Sequence, residues 1–279
     1  MKLDKIPCFG VAGNFAEHLE QAGEDRDFAF IKTETPDAPK AVFPTYIPTD
    51  SALVPDFLKV FPFDSEKTVF PEGESKIQME SECAVLFKAA WNSRKLTALE
   101  PFAFGSSNDV SIRKEGAKKI SLKKNWGKSS KGLSSNLLPL DDFSENGTIA
   151  SYSIASFLVR EGKAYLYGET SSISSYNYIY KRLIDWLINK FNTQKDEGPQ
   201  EEVGLYLKEA GFPDTIMVSI GATRYTDFGK NSFVQNGDTT AVLLFPHNKY
   251  DLSDLESFLL KGSFPEDISA LVQEVSVFK

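Results

Sequence analysis

The sequence has little of three things. Cysteine occurs only at Cys8 and Cys83 in 279 residues, too few for a disulfide framework in a chain of this length, and this fits a reducing compartment with both thiols as plain core residues. Uninterrupted apolar sequence is scarce too. No stretch reaches the roughly eighteen residues that span a bilayer, and the opening Met1-Lys2-Leu3-Asp4-Lys5-Ile6-Pro7 lacks the apolar run of a secretory signal. Positive charge is outweighed: 31 Lys and Arg against 39 Asp and Glu leave a net charge of -8 and a pI near 5.0. Such a mean field repels polyanions and sets nucleic acid and anionic membranes aside as main partners. Together these absences predict a soluble, cytoplasmic protein that meets small molecules. No internal repeat or low-complexity tract is visible.

What is present suffices for a buried core: 41% of residues are apolar and 13% aromatic. The length allows one large or two small domains, and the patterning reads as an α+β, β-rich chain. Ile6 to Val11 reads as a strand, followed by a helix from Asn14, its candidate N-cap, to Gly23. Helical spacing puts Asn14, His18 and Gln21 on one face. The Pro-rich stretch from Phe28 to Phe70 reads as irregular segments crossing a β-rich body. Ile154 to Leu158 and Ala164 to Tyr167 read as a hairpin around Gly162. Tyr176 to Phe191 carries the apolar spacing of a long amphipathic helix. Residues 193–200 read as a polar loop, the most mobile of the chain, before a helix from Glu201 to Ala210. Strands near Ile216 to Ser219 and Thr240 to Phe245 precede two terminal helices, Leu252 to Leu260 and Asp267 to Val275, a helical extension over 246–279.

The chemistry concentrates in Ile77-Gln78-Met79-Glu80-Ser81-Glu82-Cys83-Ala84-Val85-Leu86-Phe87, which reads as one strand. Residues two apart on a strand share a face, so Glu80 and Glu82 project side by side. Paired carboxylates repel unless a hard divalent cation takes their oxygens, and Asp109 in Ser106-Ser107-Asn108-Asp109-Val110-Ser111 supplies a third. The plainer reading is a solvated strand edge. From Arg113 to Lys131 the chain has eight basic residues and only Glu115 as an acid. That patch reads as a solvated surface or as the anion-attracting rim of a site; its spacing makes no single helical face.

Three stretches then line up in order. Gly10-Val11-Ala12-Gly13-Asn14-Phe15-Ala16-Glu17-His18-Leu19-Glu20-Gln21, Glu80-Ser81-Glu82 and Asn108-Asp109-Val110-Ser111-Ile112-Arg113 resemble the opening helix, the Glu-x-Glu metal strand and the Asn-Asp-Val-Ser-x-Arg segment of the fumarylacetoacetate hydrolase superfamily. The resemblance continues more loosely through Lys131-Gly132-Leu133-Ser134 and Gly221-Ala222-Thr223. It implies a single domain over residues 1–279, a mixed β-sandwich roll with flanking helices, usually dimeric, with Mg²⁺ or Mn²⁺ on Glu80, Glu82 and Asp109. It further implies His18, Gln21 and Lys131 (Lys128 as fallback) in catalytic positions, and Asn14, Arg113 and Thr223 as substrate-binding residues. The N-terminal 1–50 would contribute to the site. The substrates implied are 2-oxo acids or acylpyruvates, whose enolate a metal stabilises.

The sequence departs from the family where water is activated. The glutamate that pairs with the helical histidine is replaced by Gln21, an amide that cannot accept a proton, and Glu20 points about 100° away on a helix. The Lys-x-Phe-Asp pattern reads Lys131-Gly132-Leu133-Ser134, and the Gly-Thr-Pro turn reads Gly221-Ala222-Thr223. The expected function is a metal-dependent enzyme on a small 2-oxo acid, performing C–C hydrolysis, decarboxylation or keto–enol isomerisation; the alternative is a non-catalytic small-ligand-binding protein on the same scaffold. Without the glutamate, isomerisation or decarboxylation suits the residues better than hydrolysis.

Overall fold

Alternation switches partway along the strand that follows Glu80, and the fold is arranged around that switch. Ser81–Phe87 is buried at every position, whereas Lys88–Asn92 alternates with Lys88, Ala90 and Asn92 exposed. A strand covered on both faces has no polar side to show. Cys83, Val85 and Phe87 enter the main core, while Ala84 and Leu86 enter a second cluster with Cys8, Leu133 and Met217.

The computed structural model describes residues 2–278 apart from 17, 19, 20, 22, 24–27, 29, 30, 32, 115 and 116. Among the described residues the strands are β1 (Cys8–Ala12), β2 (Ala41–Tyr46), β3 (Phe63–Asp64), β4 (Lys67–Pro71), β5 (Ile77–Gln78), β6 (Ser81–Asn92), β7 (Lys95–Asn108), β8 (Ser111–Ile112), β9 (Lys131–Leu133), β10 (Leu138–Pro139), β11 (Tyr152–Arg160), β12 (Lys163–Ser172), β13 (Thr215–Ala222), β14 (Thr239–Pro246) and β15 (Ser269–Phe278). The helices are α1 (Tyr180–Thr193), α2 (Val203–Glu209), α3 (Asp227–Asn231) and α4 (Leu252–Lys261). One eight-stranded sheet runs β2-β1-β13-β6-β7-β9-β3 with β10 on β7, a five-stranded sheet runs β12-β11-β14-β15-β4, and β5 pairs with β8. Three pairs are parallel, β1 with β13, β3 with β9 and β15 with β4.

The two large sheets meet through β7. Ser106 Oγ donates to Ser269 O at 2.6 Å and accepts from Leu244 N at 3.0 Å, and Asn108 Nδ2 donates to Gln273 Oε1 at 3.1 Å. Around these bonds Val85, Phe104, Ile154, Leu244 and Leu271 fill the space between the sheets. This is the expected β-rich α+β sandwich with flanking helices. No helix of the described residues is long and apolar enough to cross a membrane.

The hairpin is longer than its sequence signal, and Glu161 and Gly162 both take positive φ, 53° and 75°, the two-residue turn whose twist suits antiparallel strands. In α1, Leu183, Trp186, Leu187 and Phe191 form the buried stripe. Beyond it, Gln194 accepts from Val42 N at 3.0 Å and donates to Val42 O at 2.7 Å, sealing β2, the outer strand of its sheet. Residues 194–200 form the expected loop, exposed over 195–198 and anchored at its two ends by Gln194 and Gln200, which are buried and bonded, the latter to Lys40 O at 2.9 Å. Within the stretch read as irregular, β2 is a regular strand; its Pro44 is tolerated at a sheet edge.

The C-terminal helical extension expected over 246–279 is also corrected. Asp251 caps α4 with a reciprocal bond to Asp254, but Ser269–Phe278 is the strand β15, lying between β14 and β4. Its inward residues Leu271, Gln273 and Val275 recur with period two, which a helical reading of the same apolar residues misses.

Candidate functional site

The acidic segment is a break in a strand. Ile77 and Gln78 pair with Ile112 and Ser111, whereas Ser81 and Glu82 pair with Asn108 and Ser107. Between them Met79-Glu80 faces Asp109-Val110 outside any ladder. Asp109 N donates to Glu80 O at 2.9 Å, and Glu80 N donates to Asn108 Oδ1 at 3.2 Å. The expected continuous strand is thus interrupted at Glu80, and the interruption turns its carboxylate toward Asp109. One carboxylate oxygen each from Glu80, Glu82 and Asp109 lie within 4.8 Å of one another, all three residues buried.

Three cations enter the same interior. Arg113 Nη2 lies 2.9 Å from Glu80 Oε1, Lys131 Nζ lies 2.5 Å from Asp109 Oδ1, and Lys124 Nζ bridges Glu80 Oε2 at 2.6 Å and Asp109 Oδ2 at 2.8 Å. Every oxygen of Glu80 and Asp109 therefore faces a positive group. Among the described residues the hydrogen-bond partner of Glu82 is the amide of Gly221, at 3.2 Å. That amide is aimed by a slip in register between Ser219 and Ala222, where Gly221 takes φ 116° and a Cβ would crowd Asn14.

Burial acts on all these groups, and partner charge decides the outcome. Burial pushes the Glu80 carboxyl up, yet Lys124, Arg113 and His18 pull it well below the usual carboxylate range. Burial, then the charges of Asp109 and Glu80, hold Glu82 well above that range. Burial brings Lys131 down to about 8 against the opposing pull of Asp109.

A small cavity of about 20 Å³ opens onto this cluster, lined by Val11, Gly13, His18, Phe43, Glu80, Glu82, Ile120 and Lys124 among others. His18 thus shares a cavity with the acids. Its expected companions are used otherwise: Gln21 Oε1 accepts from Tyr225 N at 2.8 Å, and Asn14 gives both amide hydrogens to the carbonyls of Tyr178 and Ile220. Asn14 Oδ1 accepts from Tyr178 N at 2.8 Å, so its amide ties the Tyr178 segment to β13. Thr223 bonds Ser81 through its hydroxyl, 2.9 Å. Arg113 supports the trio, with Nε donating to Gln78 Oε1 at 2.6 Å and Nη2 to Tyr225 Oη at 2.8 Å. Lys131 stands behind Asp109, also donating to Val110 O at 2.8 Å, and the fallback Lys128 is exposed. Much of the segment read as the N-terminal helix, Glu20 included, lies outside the described residues.

Sequence reasoning missed Lys124. In Ser121-Leu122-Lys123-Lys124-Asn125-Trp126 it is one charge among eight, and neither a solvated patch nor a rim describes it, since it is only 3% exposed.

The carboxylate trio offers hard oxygen donors of the kind that hold Mg²⁺ or Mn²⁺, so its residues suit a divalent ion.

No curated protein matches the chain. Solved structures do. Cg1458 with an inhibitor is 14% identical, with a TM-score of 0.57 over 98% of this chain and 77% of that one. 2-Keto-3-deoxy-D-arabinonate dehydratase complexed with magnesium and 2,5-dioxopentanoate is 14% identical, TM-score 0.56, over 99% and 74%. A 5-carboxymethyl-2-hydroxymuconate delta-isomerase from Mycobacterium smegmatis is 13% identical, TM-score 0.52, over 98% and 79%. A fumarylacetoacetate hydrolase family protein from Yersinia pestis CO92 also matches, at 14% identity and TM-score 0.51 over 86% and 89%. At such identities these likenesses establish the fold, which is the fumarylacetoacetate hydrolase-like fold anticipated from the motifs. A family model matches residues 24–275, and the chain belongs to that family, the family of unknown function DUF5718.

Proposed function

We propose that the chain is an enzyme of small 2-oxo acids, catalysing keto–enol isomerisation or decarboxylation. The observation that carries this reading is the convergence of Glu80, Glu82 and Asp109 beside a cavity that Glu80, Glu82 and His18 line. Glu80, Glu82 and Asp109 would hold Mg²⁺ or Mn²⁺, and a bound ion would supply Lewis-acid polarisation of adjacent oxo and carboxylate oxygens. His18 is the proton carrier in this reading, because its imidazole shares the cavity with Glu80 and Glu82, whereas the Lys124 ammonium there is held by Glu80 and Asp109. Lys131 and Arg113 hold Asp109 and Glu80 in place from behind.

Hydrolysis is the less favoured reaction for a geometric reason. The residue that would orient and deprotonate water through His18 is the amide Gln21, and its oxygen is engaged by the Tyr225 backbone. Proteins of the same fold named as a dehydratase bound to magnesium and 2,5-dioxopentanoate and as a delta-isomerase support non-hydrolytic chemistry on this scaffold.

The test is exchange of the C3 protons of pyruvate and oxaloacetate into D₂O, followed by NMR with Mg²⁺ and with Mn²⁺. Exchange that falls by about 10²–10⁴-fold in His18→Gln is the expected result. Binding of metal and oxalate with no exchange in the wild type would make the chain a ligand-binding protein instead.

A further inference from the structure

Lys124 takes one oxygen each of Glu80 and Asp109, the two that Arg113 and Lys131 leave open. Its ammonium lies 2.6 and 2.8 Å from them. A divalent ion shared by the same carboxylates would sit at about 2.0–2.6 Å from each oxygen, so the two centres claim one position. The side chain is built for that place. Its backbone is fixed by a bond from Lys124 N to Ser121 O at 3.0 Å, and its ammonium lies 5.6 Å from the centre of the Phe43 ring. Charge gives the same result. Among the described residues Arg113, Lys124 and Lys131 already compensate Glu80 and Asp109, so an added divalent ion would bring excess positive charge into a low-dielectric interior unless a cation moved away.

We propose that Lys124 is an internal cation that holds the ion position of the trio, so that its ammonium and a divalent ion exclude each other. Resting on the metal-dependent reading above, this makes metal uptake a displacement: the lysine side chain must swing off Glu80 and Asp109. Lys124 then sets how weakly the site takes its ion, a property that the carboxylates alone would not show.

The experiment is a calorimetric Mn²⁺ titration of metal-stripped wild-type chain and of Lys124→Met. The variant is expected to bind about tenfold or more tightly, since binding no longer breaks two buried ion pairs; equal or weaker binding by a folded variant overturns the proposal. Because Lys124→Met leaves the carboxylates uncompensated and could fail to fold without metal, the wild type provides a second measurement. In its crystal structure with Mn²⁺, located by anomalous scattering, Lys124 Nζ is expected away from both carboxylates. Mn²⁺ on the trio with both lysine contacts intact overturns the exclusion while the metal-dependent reading stands. A wild type that takes no Mn²⁺ beside a variant that does supports the exclusion and overturns that reading. Failure of both to bind overturns both.

Discussion

Two buried carboxylates at the two ends of one short turn, Ile120–Lys123, behave in opposite ways. At one end Ser121 Oγ donates to Glu201 Oε1 at 3.0 Å, with the Tyr206 hydroxyl at 3.4 Å; just past the other, Lys124 meets Glu80. Both acids are only 3% exposed. Burial raises Glu201 to about 7, because its close partners are neutral hydroxyls, whereas Glu80 is driven below the ordinary range by its cations. Equal burial therefore says little about charge; the formal charge of the partner decides whether the acid stays ionised.

The largest test of this contrast removes Glu80. Glu80→Ala strips Lys124 and Arg113 of a shared counter-ion, and breaking a buried ion pair from one side costs about 3–5 kcal/mol. Urea unfolding should show a loss of that size, together with loss of Mn²⁺ binding. A loss under about 1 kcal/mol, the range of surface pairs, would mean that the network is solvated and that the contrast with Glu201 is not one of partner charge.

A smaller effect is expected at Glu201, and it appears only as a pH dependence. The folded-state value is raised, so the neutral acid is favoured by folding. The stability associated with it is fully present below about 4.5, is lost as pH rises through about 7, and stays lost above that. The full loss is at most roughly 3 kcal/mol. Glu201→Gln cannot titrate, so the variant minus wild-type difference should rise across that window and flatten above it. The absolute stability of the variant is a poorer guide, because Glu201 Oε2 has no partner among the described residues and a buried amide nitrogen there would cost about 1–3 kcal/mol. A difference that is flat with pH would place Glu201 ionised in the folded chain, like Glu80.

What the sequence revealed and what it hid follow the same division between local and distant causes. Glu80, Glu82 and Asp109 were legible because a two-residue spacing and a short motif are local, and the hairpin β11–β12 and helix α1 because their periodicities run long enough to count. Strand β15 was not, since Ser269–Phe278 mixes apolar and polar residues in a pattern that a helix also tolerates, and only its place between β14 and β4 decides the matter. Lys124 was hidden for a deeper reason. Nothing in Lys123-Lys124-Asn125 separates a lysine that turns inward from Lys118 or Lys128, which stay exposed; the counter-charges that make burial tolerable come from residues 80 and 109.

The smallest effect concerns Gln21, where the local motif and the tertiary contact point to different roles. By sequence, Gln21→Glu would restore a carboxylate one helical turn from His18 and bring back water activation. In the folded chain Gln21 Oε1 accepts from Tyr225 N, and Arg113 Nη2 in turn donates to the Tyr225 hydroxyl. A glutamate can keep the Tyr225 amide bond, so its carboxylate is drawn to the backbone and away from His18. Gln21→Glu should therefore fold normally and raise hydrolysis of acetylpyruvate by far less than the 10²–10⁴-fold, roughly, that a general base supplies. Gln21→Leu should lose about 1 kcal/mol of stability, the worth of one buried hydrogen bond. Both would be assayed with Mg²⁺ and with Mn²⁺, beside urea unfolding. A hundredfold gain in hydrolysis by the glutamate variant would show the side chain free to reach His18, and the amide would then be the feature that keeps this chain from hydrolysing its substrate.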